Sequence, residues 1–190
     1  MTNDKLEKML TEMSHVWKTE SSFMSWLRGG IRRIWAKHPV KLDFIKQNRV
    51  KIPNPNPNGR VKTVWGGKCA LTGEYFVLNE LECDHKVGNS SLKSVEDIQS
   101  FVEGVLLVTA DDLQLVSKEA HKIKSYAEKQ SISFEEAKIE KEVIEIIKQK
   151  KDKEYLQENQ LPVSSTQSAR RATIVAHKLS LLKEKENACI

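Results

Sequence analysis

Prolines alternate with asparagines near position 55, and this short stretch constrains the fold more than any other part of the chain. The segment 53–59 reads Pro-Asn-Pro-Asn-Pro-Asn-Gly. Proline has a fixed φ and no backbone N–H, so the interior of a helix and a central strand are both excluded here. Closely spaced prolines favour an extended, semi-rigid chain. The sequence therefore predicts a connector over 53–64 that follows a separate N-terminal segment, 1–52.

Composition places the chain among globular proteins. Of its 190 residues, 39% are hydrophobic and 30% are charged, a balance that argues against disorder. No run of 18 apolar residues and no apolar leader near the N-terminus is present, which predicts a cytoplasmic protein without a membrane partner. The cysteines Cys69, Cys83 and Cys189 are irregularly spaced, which favours reduced thiols over a disulfide framework.

Positive charge is concentrated in one part of the sequence. Residues 28–62 contain ten basic residues and one acid, whereas residues 67–130 contain seven basic residues and eleven acids. Clustered lysine and arginine side chains bind nucleic acid by releasing counterions from its phosphates. A solvated basic surface without a partner would have the same composition. We expect DNA contacts from eight residues: Arg28, Arg32, Arg33, Lys37, Arg49, Arg60, Lys62 and Lys124.

The hydrophobic periodicity predicts a mostly helical α+β protein. Helices are expected over 4–20 and 21–37, with Gly29-Gly30 weakening the second helix and Pro39 ending it. Tryptophans on the apolar stripe of these helices are expected in the core. Further helices are expected over 134–158 and 168–186.

A β-hairpin is expected over residues 74–87. Its second strand, 81–85, alternates so that Leu81 and Cys83 share one face while Glu82 and Asp84 share the other. Cys83 is therefore expected to be buried and unreactive. A helix start is expected at Ser94, and another helix from Ser117 to about residue 129.

Two short segments carry the candidate chemistry. Asp84-His85 lies on the predicted hairpin, and Asp112-Leu113-Gln114 is followed by His121 and Lys124 on a predicted helix. An imidazole titrating near neutral pH can take a proton from water, and a carboxylate with an imidazole can hold a divalent cation. These are the groups that phosphodiester hydrolysis requires.

The arrangement resembles the HNH family of nucleases over about residues 65–130. The resemblance implies a ββα-metal core flanked by helical extensions, with the C-terminal extension at 131–190. It implies that His85 is the general base, and that Asp84 and His121 bind one divalent metal ion, Mg²⁺, with Mn²⁺ or Ni²⁺ able to substitute. Asp112 would belong to the catalytic set by fixing the hairpin loop, and Lys124 would lie near phosphate.

Two departures from the family pattern bear on these expectations. Asparagine is usual at the position of Asp112, and an ionised carboxylate accepts hydrogen bonds but cannot donate them. Many members also hold a structural zinc ion with four cysteines. The corresponding positions here are Cys69, Thr72, Ser117 and Ala120, so no structural zinc is expected.

The sequence thus predicts a metal-dependent endonuclease that hydrolyses DNA, similar to small HNH proteins of phages and mobile introns. The alternative is a catalytically degenerate HNH-fold protein that binds nucleic acid or serves phage assembly or packaging. Four points stay open. They are the target sequence, whether cleavage nicks one strand or cuts both, whether the substrate is DNA or RNA, and whether the protein is a monomer or an oligomer.

Overall fold

A computed structural model describes residues 4–56, 58–88 and 91–188, with side chains described except at 185, 186 and 188. Cys189 therefore lies outside the described residues. The chain divides into two compact units, residues 1–118 and 119–190. This boundary falls inside the segment 65–130 predicted as the nuclease core. The predicted fold class is confirmed at the coarse level, because the described residues are mostly helical with small antiparallel sheets.

The first unit begins with three helices and contains a fourth further along. They are α1 (Asp4–Glu12), α2 (Glu20–Ala36), α3 (Pro39–Asn48) and α4 (Ile98–Leu106). Helix α2 begins at a capping box in which Thr19 and Ser22 bond each other's backbone. Its buried face packs against α4 in an apolar core of five fully buried residues: Met24, Ile31, Leu92, Phe101 and Val105.

These helices differ from the predicted ones in three respects. Helix α1 ends at Glu12, so the predicted helix 4–20 was too long. Pro39 does not merely follow a helix end but occupies the first turn of α3, where its missing N–H has no cost. Gly29 and Gly30 lie within an unbroken α2. The packing of α2 on α4 outweighs the low helix propensity of glycine.

The expectation that the tryptophans lie in the core was wrong for Trp26, whose side chain is 55% exposed. Met24 and Ile31 fill the buried side of α2, and Trp26 lies beside that stripe. It instead packs on Trp17, with the ring centroids 5.3 Å apart.

Three strands form the first sheet in the order β1 (Val50–Pro53), β2 (Thr63–Lys68) and β3 (Tyr75–Val77), all antiparallel. The proline-asparagine segment closes the β1–β2 hairpin and is not a connector between modules. Asn54 braces this loop, because its backbone N–H donates to Lys62 and its side-chain amide donates to Val61. An edge strand tolerates Pro53 at its end.

The second sheet pairs β4 (Leu81–His85) with β5 (Leu113–Ser117) in antiparallel register. The predicted 74–87 hairpin was therefore wrong in its pairing, because β3 pairs with β2 and β4 pairs with β5. The alternation within β4 is confirmed, since Leu81 and Cys83 are buried while Glu82 is exposed.

Four helices follow β5: α5 (Lys118–Gln130), α6 (Phe134–Lys148), α7 (Asp152–Glu158) and α8 (Gln167–Ala188). In the second unit, Ile139, Val143, Leu156 and Ile174 form an apolar core. The predicted helix 134–158 is broken at Lys150, whose positive φ of 58° ends α6.

One buried ion pair fastens α8 to α7 in the second unit. The guanidinium Nε of Arg170 donates to the Asp152 carboxylate at 2.6 Å, and both residues are buried. The hydrogen bond from Arg170 lowers the pKa of Asp152, which keeps this carboxylate charged. Across the whole described part of the chain, no helix is both long enough and apolar enough to cross a bilayer.

Strand β2 requires glycines at two positions, at Gly66 against neighbours in its own sheet and at Gly67 against the second sheet. A Cβ atom on Gly66 would lie 2.4 Å from the Phe76 carbonyl oxygen and 2.5 Å from the Ile52 side chain. A Cβ atom on Gly67 would lie 2.8 Å from Leu115 and 3.0 Å from Leu81. Strand β2 thus makes its close approach to β4 and β5 at Gly67. These two strands carry the candidate site.

We expect Gly66→Ala to lower the free energy of unfolding by about 1–3 kcal/mol, because the new methyl group overlaps a backbone carbonyl. Gly29→Ala is the matched control, because its Cβ would lie 3.8 Å from its nearest neighbour, the Arg33 side chain. That change should be neutral or stabilising by up to about 1 kcal/mol. Urea denaturation followed by circular dichroism measures both; equal stability of Gly66→Ala and the parent chain would contradict the packing argument.

Candidate active site

The Asp84-His85 pair lies at the end of β4, where the β4–β5 ladder fixes its surroundings. In this register, Asp84 lies opposite Gln114 and His85 lies opposite Leu113. One further backbone hydrogen bond, from the N–H of Lys86 to the carbonyl of Asp112, continues the pairing beyond the strands at 2.8 Å. The segments 84–86 and 112–114 are therefore held side by side.

The half-buried carboxylate of Asp84 is oriented by its cross-strand partner. The side-chain amide of Gln114 donates a hydrogen bond to Oδ2 of Asp84 at 3.3 Å. Gln114 alternates with buried Leu113 and Leu115, so its side chain extends on the same face of the ladder as Asp84. A carboxylate oriented in this way is a suitable ligand for a hard divalent cation.

His85 is oriented by the backbone of α4. Its Nε2 lies 3.2 Å from the carbonyl oxygen of Val105. A carbonyl oxygen only accepts hydrogen bonds, so Nε2 must carry the proton in this contact. The neutral imidazole then has its lone pair on Nδ1. This tautomer suits a ring that takes a proton from water through Nδ1.

The ring of His85 also packs against an aromatic side chain from α2. The centroids of the Trp35 and His85 rings lie 4.4 Å apart, and their planes are inclined by 35°. Lys41 Nζ lies 5.2 Å from the Trp35 ring centroid. His85 is thus held by α4 through a hydrogen bond and by α2 through ring packing.

Asp112 braces the turn that leads into β5. Its Oδ2 accepts hydrogen bonds from the backbone N–H of Thr109 at 2.8 Å and from the Thr109 hydroxyl at 2.9 Å. These bonds, the backbone one first, lower the pKa of Asp112, and the nearby charges of Lys86 and His85 act in the same direction. Both bonds use the carboxylate as an acceptor. The replacement of asparagine by aspartate is therefore compatible with a bracing role.

His85 opens onto a cleft of about 620 Å³ between the β4–β5 end and α4. Six side chains of its wall are ionisable: His85, Lys86, Asp97, Glu103, Asp111 and Asp112. Asp97 serves a capping box, because its carboxylate accepts the N–H groups of Lys93 and Ser94. These bonds lower its pKa. The cleft wall is therefore negative at neutral pH.

Cys69 is the one cysteine among the four positions compared above with zinc ligands, and it is hydrogen-bonded within the first unit. Cys69 is fully buried, and its sulfur accepts a hydrogen bond from the backbone N–H of Ser117 at 3.3 Å. Burial raises the pKa of Cys69, but hydrogen bonds from Thr72, Ser117 and Leu71 outweigh this effect and lower it. Burial raises the pKa of Cys83 to about 11, in agreement with its predicted inertness.

Most of the predicted DNA-binding residues in the first unit are solvent-exposed. Arg32, Arg33, Lys37, Arg60 and Lys62 are exposed, whereas Arg28 and Arg49 are half-buried.

Arg28, one of the half-buried residues of this set, has a structural contact. Its guanidinium donates to the carbonyl oxygen of Leu92, a residue of the core between α2 and α4. Part of its hydrogen-bonding capacity is therefore used inside the protein.

The other two predicted site residues, His121 and Lys124, lie on α5 in the second unit. His121 is half-buried, and Lys124 forms an ion pair of 3.0 Å with Glu128 on the same helix. The predicted pairing of His121 with Asp84 stays a prediction. Within the described part of the chain, no group of three or more His, Cys, Asp or Glu side chains could hold a metal ion.

Three contributors to the site were missing from the sequence prediction: Trp35, the Val105 carbonyl and the Gln114 amide. The alternation of Leu113, Gln114 and Leu115 is a strand signal that could have identified β5. The contacts from Trp35 and Val105 have no sequence signal, because they depend on how α2 and α4 pack.

We expect Asp112→Asn to preserve the turn and to change how stability depends on pH. The pKa of Asp112 is lowered from 3.8 in the folded state, so the contribution of its carboxylate is complete above pH 3.8 and is lost as pH falls further. An amide oxygen accepts the same bonds without titrating. The unfolding midpoint in urea should therefore fall more for the parent chain than for Asp112→Asn below that pH.

Asp111→Asn is the control, since it removes the same charge from the neighbouring position. If Asp111→Asn and Asp112→Asn show the same pH dependence, the effect is one of net charge and Asp112 does not brace the turn.

Comparison with known proteins assigns this site to no group. No family model, curated protein or solved structure matches the chain. The interpretation of the site therefore rests on the residues and geometry given above.

Proposed function

We propose that the protein is a metal-dependent endonuclease of the HNH type, which hydrolyses phosphodiester bonds of DNA. The observation that carries this proposal is the hydrogen bond between His85 Nε2 and the Val105 carbonyl, at 3.2 Å. It selects the tautomer with a lone pair on Nδ1. His85 follows Asp84 directly in strand β4, and its side chain lines a cleft.

In this proposal, His85 is the general base. Nδ1 takes a proton from a water molecule, and the resulting hydroxide attacks the phosphorus in line with the leaving oxygen. The ring becomes an imidazolium whose Nε2–H continues to donate to Val105. The aromatic face of Trp35 lies against the same ring and favours the positive charge that develops on it.

One divalent cation, Mg²⁺ with Mn²⁺ or Ni²⁺ able to substitute, is proposed to be held by Asp84 and His121. Mg²⁺ usually keeps several waters and binds through one or two protein ligands together with substrate phosphate, so a cluster of three protein ligands is not required. The Asp84 carboxylate fits this role, because Gln114 orients one of its oxygens. When bound, the ion neutralises charge on the phosphate and the leaving oxygen. Helix α5, which carries His121, follows β5 directly in sequence.

The cleft that His85 lines is acidic, although its described lining includes neither Asp84 nor His121. Asp97, Glu103, Asp111 and Asp112 contribute carboxylates to a wall whose bases are His85 and Lys86. A phosphate diester would be repelled by this wall in the absence of a divalent ion. No structural zinc is proposed, since Cys69 is the one cysteine among the four positions that correspond to the zinc ligands of the HNH family.

The basic segment 28–62 is proposed to hold the DNA backbone while the site acts. Arg32, Arg33 and Lys37 are exposed on α2, the helix that also supplies Trp35. Phosphate contacts position a duplex without reading its sequence. The same helix would thus link DNA binding to the orientation of the general base.

We expect His85→Ala to reduce relaxation of supercoiled plasmid in Mg²⁺, Mn²⁺ or Ni²⁺ by about 10²–10⁴-fold, because the general base is lost. Binding of the same DNA in EDTA should be unchanged, and added imidazole should restore part of the activity. His15→Ala is the matched control, since His15 is an exposed histidine outside the site.

Equal activity of His85→Ala and the parent chain would contradict the assignment of the base. Asp84→Asn and His121→Ala should instead weaken Mn²⁺ binding, which electron paramagnetic resonance measures without any cleavage. If the parent chain binds DNA but cleaves it with none of the three metals, the degenerate, binding-only alternative is correct.

We expect Trp35→Ala to slow cleavage about tenfold or more, because His85 loses the ring contact that helps to position it. DNA binding in EDTA and Mn²⁺ affinity should not change, and Trp35→Phe should retain most of the activity. A parallel loss of DNA binding, or no rescue by phenylalanine, would indicate that Trp35 supports only the fold.

A further inference from the structure

The end of the β1–β2 hairpin extends past the third strand of its sheet. Strand β2 pairs with β1 through Thr63–Gly66, whereas β3 pairs only with Gly66–Lys68. The pairs formed by Lys51 with Trp65, Ile52 with Val64 and Pro53 with Thr63 therefore belong to a two-stranded ribbon.

Hydrogen bonds within the loop stiffen this ribbon. The backbone N–H of Asn54 donates to the Lys62 carbonyl at 2.9 Å, and its side-chain amide donates to Val61 at 2.8 Å. The Asn54 side-chain oxygen also accepts from the N–H of Asn56 at 3.0 Å. Prolines within the loop further restrict the unfolded chain. The ribbon is thus preorganised although it has only two strands.

The ribbon and its loop carry basic side chains and no acidic ones. Residues 44–73 contain no aspartate or glutamate. Lys51 on β1 is exposed, as are Arg60 and Lys62 in the loop that leads into β2, and Arg49 is half-buried at the base of β1. The charged side chains of the ribbon therefore have one sign, which is complementary to a polyanion.

Trp65 holds two of these cations at the base of the ribbon. Its side chain is 41% exposed, and its ring centroid lies 4.1 Å from Lys51 Nζ and 4.3 Å from the central guanidinium carbon of Arg49. Cation–π contacts restrict the rotamers of both long side chains before any ligand binds. Less side-chain entropy is then lost on binding.

We propose that the β1–β2 ribbon binds duplex DNA by lying in the major groove, with its basic side chains on the phosphates that flank the groove. The major groove is about 12 Å wide and admits a two-stranded β-ribbon. Single-strand binders instead stack successive bases on several aromatic rings, and residues 50–68 contain one aromatic residue, Trp65. The inference rests on the proposed function only in that DNA is taken as the substrate.

The test is fluorescence anisotropy of a short labelled duplex, titrated with the full chain in EDTA over a series of salt concentrations. The variant Arg60→Gln/Lys62→Gln removes two charges from the ribbon. It should lower the slope of log K against log salt by about two, since each phosphate contact contributes about 0.9. Lys138→Gln/Lys153→Gln is the control, because it removes two exposed lysines from α6 and α7.

An unchanged slope in the ribbon variant, or an equal change in both variants, would overturn the proposal. Tighter binding of a single strand than of the duplex would overturn the assignment of the ligand.

A second pair of variants tests Trp65, with circular dichroism to verify folding. Trp65→Ala should weaken duplex binding, whereas Trp65→Phe should retain most of it, because phenylalanine keeps a face for the cations. Equal binding by parent chain and Trp65→Ala would contradict the role of the ring.

Plasmid relaxation then separates the two proposals. Ribbon-dependent binding without cleavage in any metal would reject the nuclease and leave the ribbon assignment in place. Cleavage that is unaffected by loss of the ribbon charges would reject the ribbon alone.

Discussion

The antiparallel pairing of β4 with β5 is the constraint on which the candidate site depends. It places Asp84 opposite Gln114 and His85 opposite Leu113, although these segments are separated by almost thirty residues. A shift of one residue in this register would turn Leu113 and Leu115 out of the core, so the site geometry and the burial of the strand are specified together. The bond from Lys86 to the Asp112 carbonyl extends this control to the turn that Asp112 braces.

The ladder alone does not orient His85. Its hydrogen-bond acceptor is a carbonyl of α4, and the ring beside it comes from α2. These two helices pack on each other through Met24, Phe101 and Val105, so the core that stabilises the first unit also fixes the tautomer of the histidine. A short β-hairpin and helix make too small a core to do this without neighbours. In this chain the helical core between α2 and α4 supplies that support.

The sequence predicted the local signals well and the long-range pairing poorly. The helix start at Ser94, the alternation of Leu81 and Cys83, and the helix predicted over 168–186, which the structure has at Gln167–Ala188, all follow from nearby residues. The partner of β4 could not be identified in this way, because strand pairing depends on which apolar faces meet after the chain has folded back. The proline-asparagine segment shows the same limit, since its residues exclude helix but do not distinguish a connector from a hairpin loop. Within the site, the residue types that carry chemistry were predictable, but the contacts that orient them were not.

Two surfaces of the first unit, the basic surface of the ribbon and α2 and the cleft beside His85, have opposite charge. The ribbon and the exposed face of α2 are positive, whereas the cleft beside His85 is lined by carboxylates. A uniformly positive protein would bind DNA along any part of its backbone, and a positive cleft would repel a divalent cation. Under the proposed function, the acidic cleft would attract the cation, and the cation would lower the repulsion between the cleft and a phosphate. Binding energy from the basic surface would then help to bring one phosphate against a site that otherwise repels it. The opposed charges would therefore make cleavage depend on the metal at the step of substrate placement as well as at the chemical step.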